Sequence, residues 1–100
     1  MKSKRTRTFV RLFNALPTEI KQLARENYKL WKENPNHPSL DFKQTFPKRL
    51  KIWSVRIGLN YRALALRETE TVEWFWLGSH SDYERILKNL RDTTKHLTKN

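Results

Sequence analysis

From Trp53 to Tyr83 the chain reads WSVRIGLNYRALALRETETVEWFWLGSHSDY, and this stretch constrains the fold more than any other. It predicts three consecutive strands. Trp53, Val55 and Ile57 alternate with Ser54 and Arg56, the period-2 pattern of a strand with two unlike faces. Gly58 to Asn60 supplies a turn. Tyr61 to Arg67 and Val72 to Leu77 are nearly continuous apolar runs, as expected for strands covered on both sides. Arg67 to Thr71 is their hairpin turn. The boundaries predicted are 52–59, 61–67 and 72–78. The run ends in Gly78-Ser79-His80-Ser81-Asp82-Tyr83, where Ser81 and Glu84 have capping-box spacing and a helix should begin. Tyr83, Ile86, Leu87 and Leu90 give that helix one apolar stripe.

Ahead of the sheet the period changes. Phe9, Leu12, Phe13 and Leu16 fall at i, i+3, i+4, i+7, which predicts a short helix over 9–15. Pro17 breaks it and opens a second helix over 18–33, with Ile20, Leu23, Ala24, Tyr28 and Trp31 on one stripe. The two form a helical hairpin for one face of the sheet. Asn34-Pro35 ends the second helix. Leu40 to Lys43 reads as a short strand-like piece, and Gln44 to Lys51 as an exposed basic loop. Lys2 to Thr8 is either a short strand or a loose basic arm. Residues after about Arg91 read as a frayed polar tail. One hundred residues make a single domain, 1–100, of α+β class.

Composition narrows the partners. Lys and Arg number 21 against 10 Asp and Glu, a formal net charge of +11, so a phosphate-rich or acidic partner is expected. There is no cysteine, which excludes disulfides and thiolate metal sites. Three histidines, His37, His80 and His96, lack the spacing of a metal cluster. With two glycines there is no Gly-rich phosphate loop. No signal peptide or membrane-spanning run is evident, and the expectation is a cytoplasmic protein without metal or cofactor.

Arg56-Ile57-Gly58, Tyr61-Arg62-Ala63 and Gly78-Ser79-His80 together resemble the RelE/ParE superfamily of bacterial toxins, over about residues 5 to 90. The Gly-Ser-His-Ser-Asp ending is similar to the YafQ-type ribonuclease branch, and the His37-Pro38 loop echoes it. The resemblance implies an N-terminal helical hairpin packed on an antiparallel β-meander, then a C-terminal helix. It implies a type II toxin whose partner is a cognate acidic antitoxin. The implied activity is metal-independent endoribonuclease action on mRNA, on the ribosome. ParE relatives share the fold but act on DNA gyrase, so a non-enzymatic gyrase inhibitor is the alternative, with a plain basic nucleic-acid-binding module as a third class.

RNA is cut without metal when a 2′-hydroxyl attacks the adjacent phosphorus and the leaving 5′-oxygen gains a proton. An imidazole titrates near neutrality, so His80 is the candidate proton-transfer group. Arg62 and Arg56 are the candidate charges for the phosphorane, since a guanidinium grips two phosphate oxygens in a fixed fork. The bland reading of Arg62 is an ion pair with Glu73. Tyr83 is a candidate stacking or phosphate-bonding residue, or core packing with Ile86 and Leu87. Lys43, Lys48, Arg49 and Lys51 read as a phosphate-tracking patch, with His37 as a further RNA contact, a second acid or base, or simply a solvated loop histidine.

Overall fold

The computed structural model describes residues 1–45 and 47–98, with side chains as far as residue 92. Eight regular elements follow in order: β1 (Lys2–Arg5), α1 (Arg7–Asn14), α2 (Thr18–Glu33), β2 (Lys43–Gln44), β3 (Ile52–Ile57), β4 (Tyr61–Arg67), β5 (Thr71–Ser79) and α3 (His80–Thr98). They make an α+β domain around a five-stranded sheet of order β1-β5-β4-β3-β2.

The expected meander is its centre, with β3–β4 and β4–β5 antiparallel. Gly58 at φ 61° adopts the left-handed conformation that ends β3 at Ile57, two residues earlier than predicted. Two edge strands extend the meander. Lys2–Arg5 is a strand rather than a loose arm, and it pairs parallel to β5, with Lys2 opposite Thr71 and Arg5 opposite Trp74. Ser3 accepts a hydrogen bond from the Trp74 indole N–H (3.0 Å), while the lysines on either side guard an open sheet edge. At the other edge, Gln44 pairs with Trp53, and Thr45 is buried with its hydroxyl donating to the Ile52 carbonyl. The beginning of the expected 44–51 loop is therefore tied to the sheet.

The two faces carry different layers. Val55, Ile57, Ala63, Ala65, Val72, Trp74 and Leu77 form the core under the helical pair, joined by Trp31 of α2 and Leu40. Phe9, Leu12, Phe13, Leu16, Ile20, Leu23 and Ala24 pack on it from α1 and α2, and Arg25 lies over the Phe13 ring. Thr6 caps α1 by accepting from the Phe9 amide (3.1 Å), so the helix starts two residues before the apolar pattern does. On the opposite face Tyr83 and Leu87 of α3 pack on Ile52 and Leu64. A bulge in β5 serves this face. Leu64 pairs with Trp76 and Ala65 with Trp74, which leaves Phe75 extra, and both Phe75 and Trp76 join the α3 cluster.

The cap of α3 is Ser79 rather than Ser81. Its hydroxyl accepts from the Asp82 amide (3.2 Å), so His80 is the first helical residue. The helix continues to Thr98, beyond the expected fraying near residue 91. Residues 92–98 contain neither proline nor glycine to stop it. The side chain of His96 lies outside the described residues.

Gly78 matters for space rather than for backbone angle. A Cβ there would come within 2.7 Å of the Trp76 ring. Gly78→Ala is expected to cost about 1–3 kcal/mol through this overpacking, read as a lower denaturant midpoint at unchanged slope.

Candidate functional site

The face carrying α3 also carries the polar residues of β3 and β4. Arg62 stands opposite Arg56 in the β3–β4 ladder and opposite Gly78 in the β4–β5 ladder. Because Gly78 has no side chain and Ser54 has a short one, the Arg62 side chain can lie flat across the sheet. It is only 7% exposed. A buried guanidinium must have its donors met. Nε and one terminal nitrogen donate to Ser54 Oγ (3.1 and 2.7 Å), and that same nitrogen donates to the Asp41 carbonyl (3.0 Å). The other terminal nitrogen donates to Asp41 Oδ2 (3.2 Å).

The partner of Arg62 is thus Asp41 and not Glu73. Glu73 stands opposite Leu66, four residues along β4 from Arg62. Asp41 arrives from the loop after α2. Leu40 is fully buried and anchors a 3-10 turn over Pro38–Leu40, and Asp41 ends that turn at φ 44°, a left-handed angle that aspartate tolerates. Its carboxylate also faces Lys43 Nζ at 3.3 Å and an Arg56 nitrogen at 3.9 Å. One anion is shared by three cations. Burial works to raise the Asp41 pKa, but the hydrogen bonds and charges of Lys43 and Arg62 outweigh it, and the carboxyl titrates below its usual range.

The sign of the pH effect follows. A depressed folded-state pKa contributes stability that is present above the unfolded value of about 3.9 and is lost as pH falls through the folded one. Wild-type protein should therefore show a loss of melting temperature on acidification below about pH 4 that Asp41→Asn shows to a smaller extent. A parallel pH–melting series of the two proteins checks it.

Tyr83 joins the arginine cluster to the histidine. It is buried in the α3 cluster, as the core-packing reading expects, and its ring also borders the polar cluster. The Arg62 guanidinium carbon lies 5.2 Å from the Tyr83 ring centre, and the His80 and Tyr83 ring centres are 5.7 Å apart. The His80 amide donates to the Asn60 carbonyl (2.7 Å), which fixes the backbone at the head of α3. The imidazole is exposed, with Nε2 3.5 Å from a Glu84 carboxylate oxygen.

So Arg62, Arg56, Lys43, Tyr83 and His80 come together. The rest of the expected set does not join them. Lys51 ends a 3-10 turn over Lys48–Leu50 and pairs with Glu68 (3.5 Å). It lies five residues from Arg56 along β3, about 16 Å for an extended chain. Lys48 and Arg49 lie in that turn at the same end, away from His80. His37 caps the turn before Asp41: its Nδ1 accepts from the Ser39 amide (3.2 Å) and lies 2.8 Å from the Ser39 hydroxyl. A cavity of about 560 Å³ lies on the opposite side of the sheet, between Phe9, Phe13, Trp31 and Trp74, and neither histidine nor carboxylate lines it.

Asp41 and Ser54 are the members that sequence reasoning missed. The available signal was physical: an arginine on an apolar strand needs an acid, and few acids lie near the sheet. Sequence distance hid the answer, because Asp41 precedes Arg62 by 21 positions.

Comparison with known proteins bears on the family and the fold. A family model described as a ParE-like toxin domain matches residues 18–85. No curated protein matches the chain. Among solved structures, the chain is similar to one of the RelB–RelE antitoxin–toxin complex of Methanococcus jannaschii, with TM-score 0.66 and 15% identity over 83% of this chain and 96% of the other. It is similar to a structure of the RelBE2 toxin–antitoxin complex of Mycobacterium tuberculosis, with TM-score 0.63 and 22% identity over 79% and 96%. It also matches YafQ of Escherichia coli, with TM-score 0.66 and 7% identity over 82% and 96%. At these identities the structural likeness speaks for the fold.

Proposed function

The chain belongs to the ParE-like toxin domain family, and on that premise we propose that it is the toxin of a toxin–antitoxin pair and acts as a metal-independent endoribonuclease on mRNA. One observation carries the reading: the Tyr83 ring is bordered by Arg62 and by His80, so positive charge and a proton-transfer group share one face of the sheet. A gyrase inhibitor has no need of an exposed imidazole beside an arginine cluster. A nuclease does.

In the proposed reaction the 2′-hydroxyl gives up its proton to solvent water as its oxygen attacks the adjacent phosphorus, the P–O5′ bond breaks, and the products are a 2′,3′-cyclic phosphate and a 5′-hydroxyl. His80 gives the departing 5′-oxygen its proton. Arg62 and Arg56 stabilise the charge that builds on the phosphorane. Tyr83, buried beside the guanidinium, orients the Arg62 plane. Lys43 adds charge beside the scissile phosphate, while Lys48, Arg49, Lys51 and His37 contact RNA farther from it. Action on translated mRNA fits a cytoplasmic protein working at the ribosome. No helix among the described residues is long and apolar enough to cross a membrane.

The neutralising partner is an acidic antitoxin. The +11 charge favours rapid capture by such a chain, and the solved M. jannaschii and M. tuberculosis relatives are toxin–antitoxin complexes. The test is direct. Purified protein is incubated with mRNA, free and on translating ribosomes, and cut ends are mapped; replication is followed in cells expressing it. Cleavage leaving cyclic phosphate supports the reading. Intact mRNA together with stalled replication would replace it with the gyrase reading.

A further inference from the structure

The anion cluster is already full. Arg62 has five N–H groups, and four are spent: two on Ser54 Oγ, one on the Asp41 carbonyl and one on the Asp41 carboxylate. No pair of donors is left to grip a phosphate while that carboxylate stays. Access is governed by the same group. Arg62 is 7% exposed, whereas the Asp41 side chain is 34% and that of Arg56 44% exposed, so solvent reaches the cluster on the side where Asp41 sits. Asp41 carries one negative charge on a pair of oxygens, as a phosphodiester does.

We propose that the Asp41 carboxylate is a built-in stand-in for a phosphodiester: it fills the anion site made by Lys43, Arg56 and Arg62, and a nucleic-acid phosphate enters by displacing it. This deepens the nuclease reading and rests on it for the choice of RNA. The exchange leaves the scaffold in place. Ser54 and the Asp41 carbonyl still hold Arg62, and only the carboxylate turns away, which frees both hydrogens of one terminal nitrogen. Lys43 and Arg56 lose the same oxygen and gain a phosphate oxygen. Asp41 thereby sets how tightly the site binds before any chemistry occurs.

Asp41→Gly is the clean variant, since glycine suits φ 44° and keeps the carbonyl that Arg62 uses. The probe is a single-stranded RNA oligonucleotide with every 2′-hydroxyl methylated, which binds but cannot be cut by 2′-attack. Asp41→Gly should bind it about 10-fold more tightly than wild type, because a like charge leaves the phosphate position. Glu70→Gln changes net charge equally, far from the cluster, and should gain less than about 2-fold. Equal gains in both variants, or none in Asp41→Gly, would overturn the proposal. If Asp41→Gly melts too low to titrate, Asp41→Asn, which also tolerates a left-handed backbone, carries the same expectation. A 100-fold loss of cleavage by Asp41→Gly with unchanged probe binding would also overturn it, by making Asp41 a proton acceptor. Failure of the nuclease reading is separable: wild type would cut no RNA, yet the binding gain would persist.

Discussion

His80→Ala is expected to slow RNA cleavage by about 100-fold or more while leaving the fold intact. The fold should survive because the side chain is exposed and its ion partner, Glu84, is exposed as well. Backbone contacts at this position, including the amide bond to Asn60, do not depend on the imidazole. The loss should fall on the chemical step. Single-turnover rates at saturating RNA isolate that step, and the binding constant for uncleavable RNA should change little. The pH–rate profile should lose one limb in the variant. Unchanged single-turnover cleavage would move proton transfer off His80, and because His37 is engaged by Ser39 in its own loop, it is a poor successor.

The second large effect is at Arg62. Arg62→Ala removes the donors of a buried cluster and leaves Ser54 and Asp41 partly unmet, a cost of about 2–3 kcal/mol. In a domain of this size that is a fall of about 10 °C or more in melting temperature. Arg62→Lys keeps the charge but cannot reproduce the fork across Ser54 and Asp41, so it should lose stability as well, though less. Activity separates the two roles. If Arg62 stabilises the phosphorane, both variants assayed well below their melting temperatures should still cleave at least about 100-fold more slowly. If the arginine only staples the Asp41 loop to the sheet, the folded fraction of each variant should cleave at the wild-type rate.

The central sheet was legible because its residues announce themselves locally. Trp53, Val55 and Ile57 alternate with Ser54 and Arg56, and the structure puts Val55 and Ile57 under α1 and α2, Trp53 against Phe42 and Arg67, and Ser54 and Arg56 in the Arg62–Asp41 cluster. The helix periods of α1 and α2 were equally plain, and Pro17 separates them. What escaped depends on pairing at long range. Nothing in Lys2–Arg5 says which strand it will join, or in which direction. The bulge at Phe75 is invisible in a run that is apolar at every position. At the site, the composition of Arg62, Tyr83 and His80 pointed to one neighbourhood, and the strand register explains it: Arg62 opposite Gly78, Tyr61 opposite Ser79. The basic loop misled because charge alone carries no address. Lys43 joins the cluster through Asp41, while Lys51 turns to Glu68 at the other end of β3.

The parallel strand β1 has a consequence for how the chain folds as it is made. Lys2 waits for Thr71, so the sheet cannot be completed until about 70 residues of loop have been closed. The β3–β4–β5 ribbon needs only short turns and forms on its own schedule. The helices α1 and α2 lie in the chain between β1 and this ribbon, and β1 meets it at β5, where the Trp74 indole bonds to Ser3. Of the five strands of this sheet, β1 comes first in the chain, yet it has no partner until β5 has been made.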